Sequence, residues 1–556
     1  MAIDIKLKTA PDAEWISLEV EQGSTIESLV KKYQKELPYR ILAAKVKNRV
    51  KALTEKIEVP CNITLLDMRD PSANQIYQRS VSFIYLKAVH DVLGGVRVLI
   101  ENSLNKGLYT DIKVRDHPSD ENIQNIEQRM REIVAQDIPF VRSVLQKEEA
   151  FHLLSGGDHE EKMRMLARAS QVETVPIYSC DGFLNFFYGT MVPSSGYIQY
   201  FELRRYRNGV LLRFPSALAP DRVPPFQDEH LLYQAFGEAK KWGNLMGISY
   251  VGELNQKVEN GEYKEIMQVS EALHEKKIAQ IADHILKEGK RIVLICGPSS
   301  SGKTSFAKRL CVQLMVNGQK PLYLGTDDYF LERDQTPRLP NGEYNFEDIE
   351  ALDLELFNQN MNDLLAGKSV DLPYFDFKTG TKIFRRRVTK ARAGQPIVIE
   401  GIHGLNEELT SEIPKETKYK IYISPLTQLN IDNHNRIPTT DARMLRRIVR
   451  DHHFRGNNAQ STIEQWPKVR EAEDRNIFPF NSAADVFFNS SHIYELAVLK
   501  KYAEPLLEAI TPEEETYCEA VRMLKFLRFF KTIEDDSYIA NNSILREFIG
   551  GSILVD

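Results

Sequence analysis

The rhythm of apolar and polar positions changes along the chain, and each change marks a unit. Up to about residue 67 the apolar residues fall in short alternating runs, at 4–7, 15–20 and 63–66. A period of two predicts strands packed on one face. A Gly-Ser-Thr turn at 23–25 precedes helical spacing over 26–33. This segment predicts a small β-grasp unit of mixed strands and one helix. An amphipathic helix is expected over 74–93 and a second, charged on one face, over 121–136. Residues 175–214 are rich in Tyr, Phe and Gly and predict β-hairpins, with a turn at Pro193-Ser194-Ser195-Gly196. Four prolines between Pro215 and Pro225 mark a boundary. Residues 229–289 read as mainly helical. From 291 onward strands and helices alternate, the pattern of an α/β parallel sheet. The apolar runs 291–296, 396–399 and 419–423 are its buried strands. After Thr511 the chain is helical to about Phe530. The fold class expected is therefore multidomain, α/β in the C-terminal half and α+β in the N-terminal half.

Composition narrows this picture. A chain of 556 residues calls for several domains. The balance of 42% hydrophobic and 27% charged residues is that of an ordinary soluble protein. A net charge of −6 argues against indiscriminate nucleic-acid binding and leaves a local basic surface open. No apolar run approaches the ~20 residues that span a bilayer, so no membrane partner is expected. The first eight residues lack the apolar core of a secretory signal. The five cysteines are scattered, with no CxxC pair. A reducing, cytoplasmic setting is expected, with each thiol a small buried hydrophobe.

The most specific chemistry lies at 297–304, Gly-Pro-Ser-Ser-Ser-Gly-Lys-Thr, which is G-x-x-x-x-G-K-[ST] between an apolar run and a helix-like stretch. Gly297 and Gly302 allow a concave turn whose backbone N–H groups converge on an anion. The following helix adds positive potential. Lys303 is placed for the β- and γ-phosphates, and the Thr304 hydroxyl for Mg²⁺. Ser299, Ser300, Ser301 and Ser305 complete the expected ATP-binding set.

Two carboxylates follow at strand ends, where α/β sheets place ligands. Asp327, in Gly325-Thr326-Asp327-Asp328, suits a general base that also touches the Mg²⁺ shell, or else a turn aspartate. Glu400, after Pro-Ile-Val-Ile, suits a metal-side acid or a surface residue. His403 is either a packed histidine or a substrate contact. A basic stretch, 443–455, sets Arg443, Arg447 and Arg450 on one helical face. Such arginines stabilise a transferring phosphoryl group, or form a solvated or RNA-binding stripe.

Residues 291 to about 507 resemble the uridine kinase and phosphoribulokinase group of P-loop kinases. The ordered signposts are GPSSSGKTS at 297–305, TDDYF at 326–330, YNFEDIEALD at 344–353, DLPYFDF at 371–377, VIEGIHGL at 398–405 and DARMLRRIVRD at 441–451. The resemblance implies Asp327 as catalytic base, Lys303 and Thr304 for ATP and Mg²⁺, and Glu400 as the metal-side acid. It also implies Arg447 as a ribose contact and Arg450 and Arg455 as lid arginines. The implied acceptor is a nucleoside 5′-hydroxyl. Departures from the family pattern concern the acceptor: Glu347 replaces Asp, Phe375 and Gly380 replace polar base readers, and Asn457 replaces a lid arginine. Phe375 can stack on a base but cannot hydrogen-bond it. The polar stretch 430–438, with Asn433, His434 and Arg436, is either a replacement base reader or a surface loop.

The N-terminal half resembles threonyl-tRNA synthetases: residues 1–67 their TGS domain, and 68–228 their second additional domain. The cues for the latter are KAVHDVL at 87–93, NKGLYTDI at 105–112 and the charged helix at 121–136. The zinc ligands of that domain are not assembled here. His90 stands alone beside Leu86 and Lys87, and Cys180 is followed by Leu184. A domain without zinc or editing activity is expected. The remaining units are a helical connector at 229–289, the kinase-like unit at 290–510 and a tail at 511–556. Three functions are open: a nucleoside kinase, a kinase of a phosphorylated sugar, and a translation-linked RNA-binding protein with regulatory ATP. tRNA or another RNA is a candidate partner, as is a second copy of the chain.

Overall fold

The computed structural model describes residues 2–11, 13–154, 159–338, 342–427 and 429–555. The first unit is a mixed sheet of β1 (Ala2–Lys8), β2 (Ile16–Glu21), β3 (Ile41–Val46), β4 (Arg49–Lys51) and β5 (Cys61–Asp67), with helix α1 (Ile26–Tyr33). Its strand order is β2-β1-β5-β3-β4, with β1 and β5 parallel at the centre. Alternation puts Ile5, Leu7, Ile63 and Leu65 on the face where α1 buries Ile26, Leu29 and Val30. This is the β-grasp arrangement that the alternating runs predict.

Helix α2 (Pro71–Leu93) opens the next unit, capped by the Asp70 side chain. The pattern over 74–93 predicts an amphipathic helix, but most of α2 is buried. It has structure on more than one side. It packs against α3 (Asp120–Ala135), and Tyr85 reaches Thr110 on a neighbouring sheet at 2.8 Å. That sheet is antiparallel, with β6 (Val98–Leu104), β7 (Gly107–Ile112), β11 (Glu202–Tyr206) and β12 (Gly209–Arg213) in the order β11-β12-β7-β6. A second antiparallel sheet, β8 (Val141–Gln146), β9 (Thr174–Cys180) and β10 (Phe183–Phe186), is flanked by α4 (Lys147–Leu154) and α5 (Glu160–Arg168).

Helices α6 (His230–Leu245), α7 (Val251–Glu259) and α8 (Tyr263–Lys287) lead to a five-stranded parallel sheet. Its strands are β13 (Ile292–Cys296), β14 (Leu322–Gly325), β17 (Ile397–Glu400), β18 (Lys418–Ser424) and β19 (Val486–Asn489), in the order β14-β17-β13-β18-β19. Every residue of β13 is buried, which is why its sequence is apolar without alternation. Helix α9 (Lys303–Val316) follows β13, and α10 (Leu354–Leu365) precedes a hairpin of β15 (Ser369–Asp376) and β16 (Thr381–Lys390). Helices α11 (Thr439–Arg455), α12 (Ala459–Asn476), α13 (Glu495–Glu508), α14 (Tyr517–Leu527) and the single turn α15 (Arg546–Ile549) complete the chain.

One apolar core joins the two halves. Met165, Ile177 and Phe186 pack in the same cluster as Leu254 and Ile281, as Val293 and Phe306 of the parallel sheet layer, and as Phe529 of the tail.

Candidate active site

The site lies at the C-terminal edge of the parallel sheet, between the ends of β13, β14 and β17. The loop from β13 to α9 turns through left-handed backbone at Ser300 (φ 60°) and Gly302 (φ 82°). Gly297 is required sterically, because a Cβ there would strike the Ile423 carbonyl. Ser299, Ser300 and Ser301 line this turn, and the hydroxyls of Ser300 and Ser301 are buried without a hydrogen-bond partner. The Lys303 ammonium lies back across the loop, donating to the carbonyls of Gly297 at 3.0 Å and Pro298 at 3.4 Å.

Thr304 donates its hydroxyl to Glu400 at 2.8 Å. The other Glu400 oxygen accepts from the Tyr323 hydroxyl at 2.6 Å, across the parallel pair β14–β17. Asp327 begins the turn after β14. Burial raises its carboxyl to about 6, the Glu400 charge adds to the shift, and Lys303 opposes it. Two neighbouring carboxylates, one of them holding the Thr304 hydroxyl, are a donor set that a divalent cation fits. Tyr323 was not legible as a site residue, since nothing in its own segment points to β17.

The loop is braced by the basic helix. Arg447 donates to the Ser299 hydroxyl at 2.8 Å, and Arg443 to the Ser299 carbonyl at 3.0 Å while pairing with Glu473. Arg446 is fully buried and makes two 2.6 Å bonds to Glu495. Asp451 gathers Arg447 at 3.3 Å, Arg450 at 2.7 Å and Arg455 at 3.6 Å. Arg443 and Arg447, two of the three arginines that the sequence sets on one helical face, are therefore tied to the loop itself. Arg455 keeps a half-exposed side chain.

On the acceptor side, Glu347 is pushed above the ordinary carboxylate range by burial, with Lys303 and Arg447 pulling the other way. Phe375 does not present a stacking face. It is 2% exposed, with its ring 5.7 Å from Phe330 and 5.1 Å from Phe377. Phe377, just past the end of β15, is turned outward instead, at 57% exposed. Gly380 adopts φ 72°, and the Arg333 side chain crosses it to reach the Phe377 carbonyl at 2.8 Å. His403 is buried, and burial lowers its imidazole to about 4, so it is neutral near pH 7.

The 430–438 stretch faces away from this site. Asn430 donates to the carbonyls of Ile100 and Glu101, the Asn433 carbonyl accepts from Ile100, and Asn435 donates to the Phe186 carbonyl. His434 meets Lys162 and the Val98 carbonyl. The stretch is a seam between halves, so the base-reader alternative loses its geometry. In the N-terminal half, Lys87 puts its ammonium 3.2 Å from Asp91 and 3.5 Å from Asp181, beside His90. Burial pushes the Cys180 thiol up to about 11, and Leu184 follows where a histidine partner would be needed. Among the described residues no group of three metal-ligating side chains is assembled, and these residues do not fit a zinc site.

Comparison with known proteins agrees with this division. Residues 292–497 match the model of the Phosphoribulokinase / Uridine kinase family. The N-terminal half is similar to threonine–tRNA ligases. One from Symbiobacterium thermophilum is 26% identical over 185 residues, 33% of this chain and 28% of the relative. One from Marinobacter nauticus is 28% identical over 164 residues, 30% of this chain and 26% of the relative. The chain thus spans under a third of these relatives' length. Among solved structures, one titled as a possible uridine kinase from Bacillus stearothermophilus is 22% identical, covering 38% of this chain and 97% of its own, with a TM-score of 0.23. A D-glycerate 3-kinase from Cryptococcus neoformans is 13% identical, covering 45% and 87%, with a TM-score of 0.20. Residues 292–497 are a module of the phosphoribulokinase/uridine kinase type, joined to an N-terminal part similar to threonine–tRNA ligases.

Proposed function

We propose that the chain transfers the γ-phosphoryl group of ATP to a nucleoside 5′-hydroxyl, in the manner of a uridine kinase. The observation that carries this reading is the convergence of Lys303, the Thr304–Glu400 pair and buried Asp327 at one edge of the parallel sheet. The loop N–H groups and Lys303 hold the phosphates. Thr304 and Glu400, with Asp327 beside them, would hold Mg²⁺, which supplies charge neutralisation when bound. Asp327 takes the proton of the attacking hydroxyl. Its raised carboxyl is a better proton acceptor than an ordinary aspartate. Glu347 and Arg447 orient the acceptor. Arg450 and Arg455, gathered on Asp451, are the cations available to the transferring group.

A second acceptor class has its own support. With Phe375 packed away and Arg333 lying over Gly380, the base-reading positions hold no neutral polar reader, while a guanidinium is at hand. That favours an acceptor carrying a phosphate. ADP release measured against the common nucleosides and a set of sugar phosphates decides between the two. Release with neither class, at saturating ATP and Mg²⁺, would remove the kinase reading.

The units that carry these roles are taken as 1–67 (TGS-like), 68–228 (synthetase-like), 229–289 (connector), 290–510 (kinase) and 511–556 (tail). The synthetase-like part serves as scaffold or RNA contact without zinc chemistry, in a cytoplasmic protein. Binding of tRNA that survives Lys303→Ala would support the RNA contact, and the state of association follows from sedimentation.

A further inference from the structure

The phosphate loop's helix already holds an anion, and the anion is part of the chain. Ser305 donates from its hydroxyl at 2.6 Å and from its backbone N–H at 3.3 Å to one carboxylate oxygen of Glu547. Ser305 directly follows the Lys-Thr pair, and N–H groups in this first turn of α9 are those with which such a loop cradles nucleotide phosphates. A carboxylate has the charge sign and acceptor character of a phosphate oxygen.

The seat is built, not incidental. Ile544, Leu545 and Phe548, which flank Glu547, are fully buried in the core that also holds Phe306 and Leu310 of α9. Ile544 lies against Gly302, where a Cβ would collide with it. The Phe548 ring stacks 4.8 Å from the Arg446 guanidinium. Lys308 donates to the Leu554 carbonyl. Glu547 forms no salt bridge among the described residues; the Ser305 donors hold it, and Arg450 and Arg455 act on its charge without pairing with it. Burial and the nearby charge of Glu400 both push its carboxyl above the ordinary value, and the Ser305 bonds oppose them.

We propose that Glu547 is a built-in competitor for nucleotide at the phosphate loop: it fills the anion seat at Ser305, and a nucleotide binds only when this carboxylate gives way. The proposal rests on the loop being the nucleotide site, as argued above. Like charges brought together in a partly desolvated site repel, which is the source of the competition. Removing the charge while keeping the shape should therefore favour nucleotide.

The test uses the full chain as parent, Glu547→Gln, Glu547→Ala and Lys303→Ala, with Kd for ATP and ADP measured by calorimetry in Mg²⁺. The expected result is affinity tightened at least about tenfold in both Glu547 variants, with binding lost in Lys303→Ala. Parent-like or weaker affinity in both Glu547 variants, with binding still dependent on Lys303, would overturn the competitor and leave the nucleotide site standing. Binding in the parent that ignores Lys303→Ala, or no binding in any protein, would overturn both.

Discussion

Asp327 sits where burial and the charge of Glu400 push its carboxyl up while Lys303 pulls it down. Asp327→Asn is expected to lower kcat by ~10²-fold or more with ATP affinity little changed, as read by steady-state kinetics and calorimetry. Tyr323 meets no phosphate and acts through Glu400, which it holds at 2.6 Å. Tyr323→Phe should raise the Mg²⁺ needed for half-maximal activity by about tenfold, the scale of a lost outer-shell partner. A magnesium titration of the variant that matches the parent would show that Glu400 needs no such support. Lys303, Thr304 and Glu400 were legible because the loop motif and the strand-end position are local patterns. Phe375 reads as a stacking ring because a run such as Pro-Tyr-Phe-Asp-Phe does not say which ring faces the core, and the structure buries it. Tyr323 and Glu547 were out of reach, since each finds its partner on a distant segment.

At the scale of elements, the 430–438 stretch shows how a polar run can be buried as thoroughly as an apolar one. The Asn430, His434 and Asn435 side chains satisfy the carbonyls of Ile100, Val98 and Phe186, so their polarity is structural. Asn435→Ala should destabilise the protein by about 1–3 kcal/mol, the cost of an orphaned buried group. A panel of acceptors should keep its order in that variant. The buried histidines, His434 at the seam among them, also predict acid sensitivity. Burial holds His434 and His274 well below the ordinary histidine value and lowers His159 and His403 to about 4. Near the seam Lys162 and His159 add to the effect on His434, and His492 does so for His274. The unfolded chain therefore takes up protons below pH ~6.5 that the folded chain refuses. Stability is full above that pH and falls as pH drops towards 4. Tm at pH 5 should lie below Tm at pH 7.5, and a flat profile would contradict the assignment. Helix α2 teaches the same lesson in apolar form: its pattern predicts one wet face, and the neighbours that cover it lie elsewhere in the chain.

At the scale of the whole molecule, the order of units was legible from changes of rhythm, while their union was not. Nothing in the local pattern around Met165 or Phe186 says that these side chains enter a core shared with α8, α9 and the tail. Residues 290–510 expressed alone are thus expected to be insoluble or to melt well below the full chain. Scanning calorimetry that finds equal Tm values would show that the shared core is dispensable. Elemental analysis of the full chain should find no stoichiometric zinc, because Leu86, Lys87 and Leu184 stand where ligands are needed. The contact between Ser305 and Glu547 spans 242 positions. At ribosomal speed the loop precedes its carboxylate by roughly 10–50 s. On the proposal that Glu547 competes with nucleotide, a loop that takes shape within that interval would meet nucleotide before its own carboxylate exists.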